Sequence, residues 1–263
     1  MGTDGATMVE TNLETVRNPT NLFVGGCQSY IMETYVGTSG WMYGWNKDGN
    51  LEWYVNNSGL NAVELNASFY RFPYPNQVKH WASIGSSISW AVKVNRLITH
   101  QYKLSENSYK LLERFLNLFE PLDKHISYYL FQLPPFITPN IIKNIEPLLK
   151  KFDIAEKFAL EPRASEWFNE NVYKQLKELD ITFVSIDAPF ASVIEKTSSN
   201  IYLRLHGRES WYSYNYSDKE LEELFLHIKE KNPKKAFVFF NNDHDMLNNA
   251  RKFIKIALRF GSG

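Results

Sequence analysis

The sequence predicts a single-domain α/β protein, an eight-stranded (β/α)8 barrel, and three observations carry that expectation. Short β-rich runs alternate with longer stretches of helical periodicity from Tyr35 onward, the pattern of repeated βα units around a parallel sheet. The alternation occurs eight times. Within the runs, polar residues keep to one parity and gather toward the C-terminal end, where barrel enzymes place their chemistry. A chain of 263 residues, 44% hydrophobic and 22% charged, is long enough to bury one large core.

The strands read from the sequence are Tyr35 to Ser39, Ala62 to Asn66, Trp90 to Val94, Tyr128 to Leu133, Phe158 to Arg163, Thr182 to Asp187, Ile201 to His206 and Ala236 to Asn241. Ser105 to Leu122 places Leu111, Leu112, Phe115, Leu118 and Phe119 at helical spacing, with Ser105 offering an N-cap oxygen. Ser217 and Glu220 make a capping box for a helix ending near Lys231, and Asp243 is expected to cap the last helix, through Leu258. Further helices are expected near Asn50 to Ser58, Pro75 to Ile84, Pro139 to Phe152 and Ala164 to Leu179; the link from Ala188 to Ser199 is the least helical.

Parity assigns the faces. Val63 and Leu65 oppose Ala62, Glu64 and Asn66; Val92 and Val94 oppose Ala91, Lys93 and Asn95; Leu160 opposes Ala159, Glu161 and Arg163. The division continues with Val184 and Ile186 against Phe183, Ser185 and Asp187, and Leu203 and Leu205 against Tyr202, Arg204 and His206. The apolar set must pack on the helices, which leaves small and polar residues inside.

Residues 1–34 read as a polar N-terminal extension and 35–260 as the barrel domain. Val24-Gly25-Gly26-Cys27 has the look of a lipoprotein cleavage site, but no long apolar stretch precedes it and Glu10, Glu14 and Arg17 lie upstream. Cys27 is the only cysteine, so no intramolecular disulfide forms, a reducing cytoplasm is the expected compartment, and Cys27 is expected to be inert. No apolar run approaches the length of a membrane span. Lys+Arg and Asp+Glu both number 29, so there is no bulk positive field for a nucleic-acid backbone and any anion must be held by a local cluster. The oligomeric state is not legible.

The candidate rim residues are Glu64, Asn66, Lys93, Gln132, Glu161, Arg163, Asp187, Arg204, His206, Arg208 and Asn241. Buried unpaired, each would cost several kcal/mol, so they pair with one another or with a ligand. Tyr202 to Arg208 sets two guanidiniums and an imidazole on one side of a strand and its exit, with Gly207 allowing close approach of a ligand. Asn241 and Asn242 precede a helix N-terminus at the frequent phosphate position of such barrels. Trp41-Met42-Tyr43-Gly44-Trp45 either stacks a ring-shaped ligand or plugs the mouth, and Tyr70 lines the pocket.

A metal held by Glu64, Glu161, Asp187 and His206 is the less favoured alternative, because Lys93, Arg163 and Arg204 share the rim and no HExxH or CxxC is present. A paired-carboxylate site of Glu64 and Glu161 is a further alternative. There is no P-loop, G-x-S-x-G elbow or dinucleotide fingerprint. His80, His125, His227 and His244 read as surface residues of helices.

These residues fall into motifs that resemble the YecE-like family, domain of unknown function seventy-two. They are Gly37-Thr38-Ser39-Gly40-Trp41 with Tyr43 and Trp45, Glu64-Leu65-Asn66 with Phe69-Tyr70-Arg71, and Lys93-Val94 leading to Ile98-Thr99-His100. Gln132-Leu133-Pro134-Pro135, Glu161-Pro162-Arg163 with Trp167, Asp187-Ala188-Pro189, Arg204-Leu205-His206-Gly207-Arg208 and Phe240-Asn241-Asn242 continue the match, from about Tyr35 to Leu258. Ala67-Ser68 stands where the family more often has a Thr before Phe-Tyr. The resemblance implies a TIM barrel with a pocket at these positions and implies no reaction.

The residues favour an enzyme, a hydrolase or isomerase, acting on a small phosphate- or carboxylate-bearing substrate. In that reading Arg163, Arg204, Arg208, Lys93, Asn66, Asn241, Tyr70 and Trp41 bind, and Glu161, Asp187, His206 or Glu64 move protons. A non-catalytic module for a nucleotide or nucleic-acid end is the competing class.

Overall fold

The computed structural model describes residues 32–261; residues 1–31, including Cys27 and most of the extension, lie outside the described part. Nine strands form: β1 Glu33–Thr38, β2 Ala62–Leu65, β3 Ser89–Lys93, β4 Ile126–Gln132, β5 Phe158–Glu161, β6 Thr182–Ala188, β7 Ala191–Val193, β8 Ile201–Leu205 and β9 Lys235–Phe240. Eight of them pair in parallel in the order β1-β9-β8-β6-β5-β4-β3-β2, and β7 adds an antiparallel hairpin to β6. That hairpin occupies the link for which the sequence shows no helical period.

The ends of this path, β1 and β2, close the barrel without a backbone ladder. Side chains take over: the Asn61 amide accepts from Val36 N (2.7 Å) and donates to Thr34 O (2.9 Å). The Tyr54 hydroxyl accepts from Thr38 N (3.2 Å) and donates to Ala62 O (2.8 Å). Gly37 is required at this seam, because a Cβ there would lie 2.3 Å from the Ala62 carbonyl oxygen.

The helices are α1 Leu51–Asn57, α2 Ala67–Tyr70, α3 Pro75–Ile84, α4 Tyr109–Phe119, α5 Ile142–Phe152, α6 Glu170–Glu178, α7 Asp218–Glu230 and α8 Met246–Gly261. The capping box of α7 forms, with Glu220 N donating to Ser217 Oγ (3.3 Å) and Ser217 N to Glu220 Oε2 (2.8 Å). Two expected caps do not. Ser105 donates its hydroxyl to Tyr102 O and precedes a short 3-10 turn rather than α4. Asp243 sits at φ 55 inside a 3-10 turn, so α8 starts only at Met246. α4 buries Leu112, Phe115 and Phe119 against the barrel, each such side chain stabilising by about 1.5–3 kcal/mol.

The parity reading holds for β2, β3, β5 and β8. An inner cluster contains Ala62, Ala91, Ala159, Tyr202, Phe237 and Phe239, and an outer one contains Val63, Val92, Leu160, Leu203 and Leu205. It fails for β6. Val184 belongs to the inner cluster, whereas Phe183 packs outward on Phe168 and Tyr173. The register agrees: Val184 pairs with Tyr202 and Ile186 with Arg204, inside, while Asp187 pairs with Leu205, outside. Nor is the interior only small and polar: Tyr128, Tyr202, Phe237 and Phe239 fill it below the charged layer. Among the described residues no helix is long and apolar enough to cross a membrane.

Candidate functional site

Above the aromatic floor, Arg204 at the end of β8 extends between two carboxylates. Its Nη2 donates to Glu64 Oε1 and its Nη1 to Glu161 Oε2, both at 2.6 Å, and all three side chains are fully buried. Glu64 also accepts from Tyr202 Oη (2.5 Å) and Asn66 Nδ2 (2.8 Å). On the other side, Arg163 Nη2 stands 2.7 Å from Glu161 Oε1, out of line for a hydrogen bond. Burial works to raise the Glu161 pKa, but Arg163 and Arg204 beside it hold the carboxyl well below the usual carboxylate range. Glu161 is therefore a fixed anion, and Arg204 is a bridge rather than an open anion receptor.

His206, two residues beyond Arg204, keeps the inner parity. Ser39 Oγ donates to Asn241 Oδ1 (2.7 Å), which turns Asn241 Nδ2 toward His206 Nδ1 (3.2 Å). Nδ1 then accepts, so a neutral ring carries its proton on Nε2, 3.4 Å from Glu161 Oε1. Burial lowers the His206 pKa to about 4, so it does not titrate near neutrality as an exposed histidine would.

Lys93, at the end of β3, contrasts with every other charge in the layer. It is 9% exposed, makes no ion pair among the described residues, and rests its Nζ 4.3 Å from the centre of the Phe69 ring. Burial first, then the nearby Arg204, lowers its pKa to about 7. Lys93, Arg163 and Arg204 line a cavity of about 340 Å3 with Ser39, Tyr43, Asn66, Tyr70, Tyr212, Asn241, Asp243 and Met246. Arg163 Nε and Asn66 Oδ1 are buried there without hydrogen-bond partners. A smaller cavity of about 220 Å3 adjoins it, lined by Trp41, Met42, Leu65 and Ala67 and sharing Ser39, Tyr43, Asn66 and Tyr70.

Two candidates are not brought to this mouth. Asp187 faces away from the barrel interior, because β6 turns Val184 and Ile186 inward; its Oδ2 accepts from Arg208 Nε (2.9 Å). Arg208 follows it to the outer side and also reaches Glu220 Oε1 (3.0 Å) on α7. The sequence expectation that both share the interior with Arg204 is therefore corrected. Gly207, at φ +97, does not leave room for a ligand: a Cβ would lie 2.6 Å from Ser210 O and from Tyr214 Cβ. Its loop folds back instead, setting Trp211 and Tyr212 5.3 and 5.7 Å from the His206 ring and Trp211 4.9 Å from the Arg163 guanidinium.

Trp41 is a core residue, edge-on to Trp81 and Trp90 at 5.7 and 5.8 Å, and the Tyr43–Trp45 stack packs against Trp53 and Tyr54. The aromatic loop thus plugs one side of the mouth, and Tyr70, 71% exposed, and Tyr212, 46% exposed, are open rings on the cavity edge. Asn242 donates to Tyr214 O and Asn249 Oδ1, so it is engaged within the loop. The four residues considered as metal ligands are not gathered: Arg204 lies between Glu64 and Glu161, and Asp187 is on the far face. Among the described residues no three His, Cys, Asp or Glu form a metal-holding group.

Sequence reading missed Phe69 as the ring beneath Lys93, and Tyr212, Asp243 and Met246 as cavity walls. Tyr212 and Asp243 come from a loop and a short 3-10 turn without periodicity, and Met246 is the first residue of α8; Tyr202, by contrast, was legible on the parity of Arg204. A wider groove of about 780 Å3 lies at the opposite, N-terminal end of the strands, around Asp123, Tyr129 and Lys157, away from this cluster.

No curated protein matches the sequence. The structure is similar to that of a DUF72 family protein from Thermotoga maritima, with a TM-score of 0.74 and 28% identity over 85% of this chain and 98% of that one. It is also similar to a DUF72 family protein from Enterococcus faecalis, at TM-score 0.73 and 20% identity over 86% of this chain and 95% of that one. A xylose isomerase domain containing protein from Salmonella typhimurium shares the fold alone, at TM-score 0.57 and 13% identity over 90% of this chain and all of that one. Residues 35–259 match the family described as protein of unknown function DUF72, and the chain, a TIM barrel by its strand order, belongs to that family.

Proposed function

We propose that the protein is an enzyme acting on a small phosphate- or carboxylate-bearing substrate by proton transfer in the cavity at the C-terminal ends of the strands. The observation that carries this reading is Lys93, a buried amine that lines the cavity and makes no ion pair among the described residues. Structural charges are paired when buried, and every other charged group of the layer follows that rule. An amine with a pKa of about 7 is poised to take and return a proton near neutrality.

Glu64 and Glu161 are offset by Arg204 and Arg163, so a protonated Lys93 gives the buried layer one excess positive charge toward an anion, offset in part by Asp243, which lines the same cavity. Arg163 is the guanidinium suited to orient that anion, since its Nε is unpaired. A cavity of about 340 Å3 suits a compact metabolite. Serving as acid when charged and as base when neutral, Lys93 would move a proton between two atoms of the substrate, an isomerase-type reaction.

A thermal-shift screen of small phosphates and carboxylates tests binding, because a ligand at about 100 times its Kd adds roughly 2.7 kcal/mol. A hit should lose its shift in Arg163→Met, and NMR should show Lys93-dependent exchange of a substrate proton with deuterated solvent. Stabilisation that persists in Arg163→Met, with no exchange, would contradict the proposal.

A further inference from the structure

We infer that the Lys93 amine is a nucleophile toward carbonyl compounds, so that the substrate class of the barrel mouth is a small aldehyde or ketone carrying a negative charge. The inference deepens the proton-transfer reading and rests on it. A lysine amine is activated by burial against an apolar wall and by neighbouring cations. Lys93 has both: it is buried at the barrel mouth, and Arg204 and Arg163 each depress its protonation, while the face of the Phe69 ring under its Nζ at 4.3 Å gives the ammonium only a weak cation–π partner.

The groups facing Lys93 come from several elements. Glu64 on β2 and Glu161 on β5 favour its charged form, Arg204 on β8 and Arg163 after β5 oppose it, and His100 follows β3 close enough to feel its charge; across the cavity stand Asp243, Tyr43, Tyr70 and Tyr212. Arg204 takes one oxygen of each carboxylate at 2.6 Å, and among the described residues neither carboxylate forms an ion pair with the amine. The same cavity offers Arg163 for the anionic group and the unpartnered Asn66 Oδ1 to accept from a substrate hydroxyl.

The chemistry balances without a further reactant. The nitrogen lone pair forms a C–N bond to the carbonyl carbon while the C=O π pair moves to oxygen. That oxygen takes up the two amine protons through solvent and leaves as water, giving C=N. One solvent proton converts this imine to an iminium, which draws electrons from the adjacent C–H bond and so assists loss of a proton at that carbon.

The full chain is incubated separately with glyoxylate, pyruvate and dihydroxyacetone phosphate in the presence of cyanoborohydride, and adducts are located by peptide mass mapping. At least one probe should modify Lys93 about tenfold or more faster than the exposed Lys47, since an ordinary lysine is almost wholly protonated at neutral pH. Lys93→Arg, which keeps a cation but cannot form an imine, should lose that adduct and keep Lys47 labelling. Labelling of Lys93 no faster than Lys47 with all three probes overturns the inference. If lactate or phosphate still raises Tm through Arg163 in that case, proton transfer stands without the imine; if neither does, both readings fall.

Discussion

Arg204 and Lys93 are buried cations on the inner face of one barrel, in opposite surroundings. Arg204 has a carboxylate on each of its terminal nitrogens at 2.6 Å, and Glu161 with Glu64 keeps it charged. Lys93 has an aromatic ring and two guanidiniums, and its proton is loosely held. The contrast separates two uses of a buried charge. A saturated one fixes the positions of the strands that carry it, whereas an unsaturated one is costly to the fold and is retained where chemistry needs it.

The largest expected effect is at Arg204. Its replacement by Ala leaves Glu64 and Glu161 buried with Glu64 lacking any cationic partner, which should cost about 3–5 kcal/mol. For a domain of this size that lowers Tm by roughly 6–10 °C in thermal denaturation. A loss below about 1 kcal/mol would mean the pair is not the frame of the site.

Lys93→Met should act in the other direction. The folded pKa, about 7, lies below the usual 10.5. Between those values the unfolded chain holds a proton that the folded one lacks, so stability rises with pH across that window, and the penalty is full below about pH 7. The variant should therefore be more stable than the parent by on the order of 2–4 kcal/mol near pH 6. That advantage should fade toward about pH 10, as read by denaturant titration. A variant less stable than the parent at about pH 6 would make Lys93 a structural partner of the carboxylates.

Arg208 is a cation on the outer side of the barrel. Its guanidinium is 31% exposed, but the Asp187 carboxylate it pairs with is buried, so Arg208→Ala should cost about 2–3 kcal/mol. Any ligand that shifts Tm in the parent should shift it equally in this variant. A lost ligand shift would place the outer network in the site after all.

The barrel and most of its charged layer were legible because strands impose a two-residue period and the helix-facing side excludes charge. That argument placed Glu64, Lys93, Glu161, Arg204 and His206 correctly. It misplaced Asp187, because the outer face of β6 is itself polar: Ser185 Oγ bonds Glu195 and Asp187 meets Arg208, while Val184 and Ile186 are the right bulk to fill the interior. Parity cannot distinguish a polar inner row from a polar outer one when both faces are buried. Pairing was also out of reach. Nothing in the spacing says that one guanidinium takes both carboxylates and leaves Lys93 with none, because that depends on which side chains meet across β2, β3, β5 and β8.

Proton transfer at the barrel mouth requires Lys93 to lose its proton near neutrality, and the ionisation of that one amine can be followed directly by NMR of selectively labelled lysine side chains across a pH titration. Lys93, assigned by its absence in Lys93→Met, should titrate at about 7, well below the usual lysine range. A Lys93 signal that moves with the exposed lysines would show the amine to be an ordinary charge, and the proton-transfer and carbonyl readings would both lose their basis.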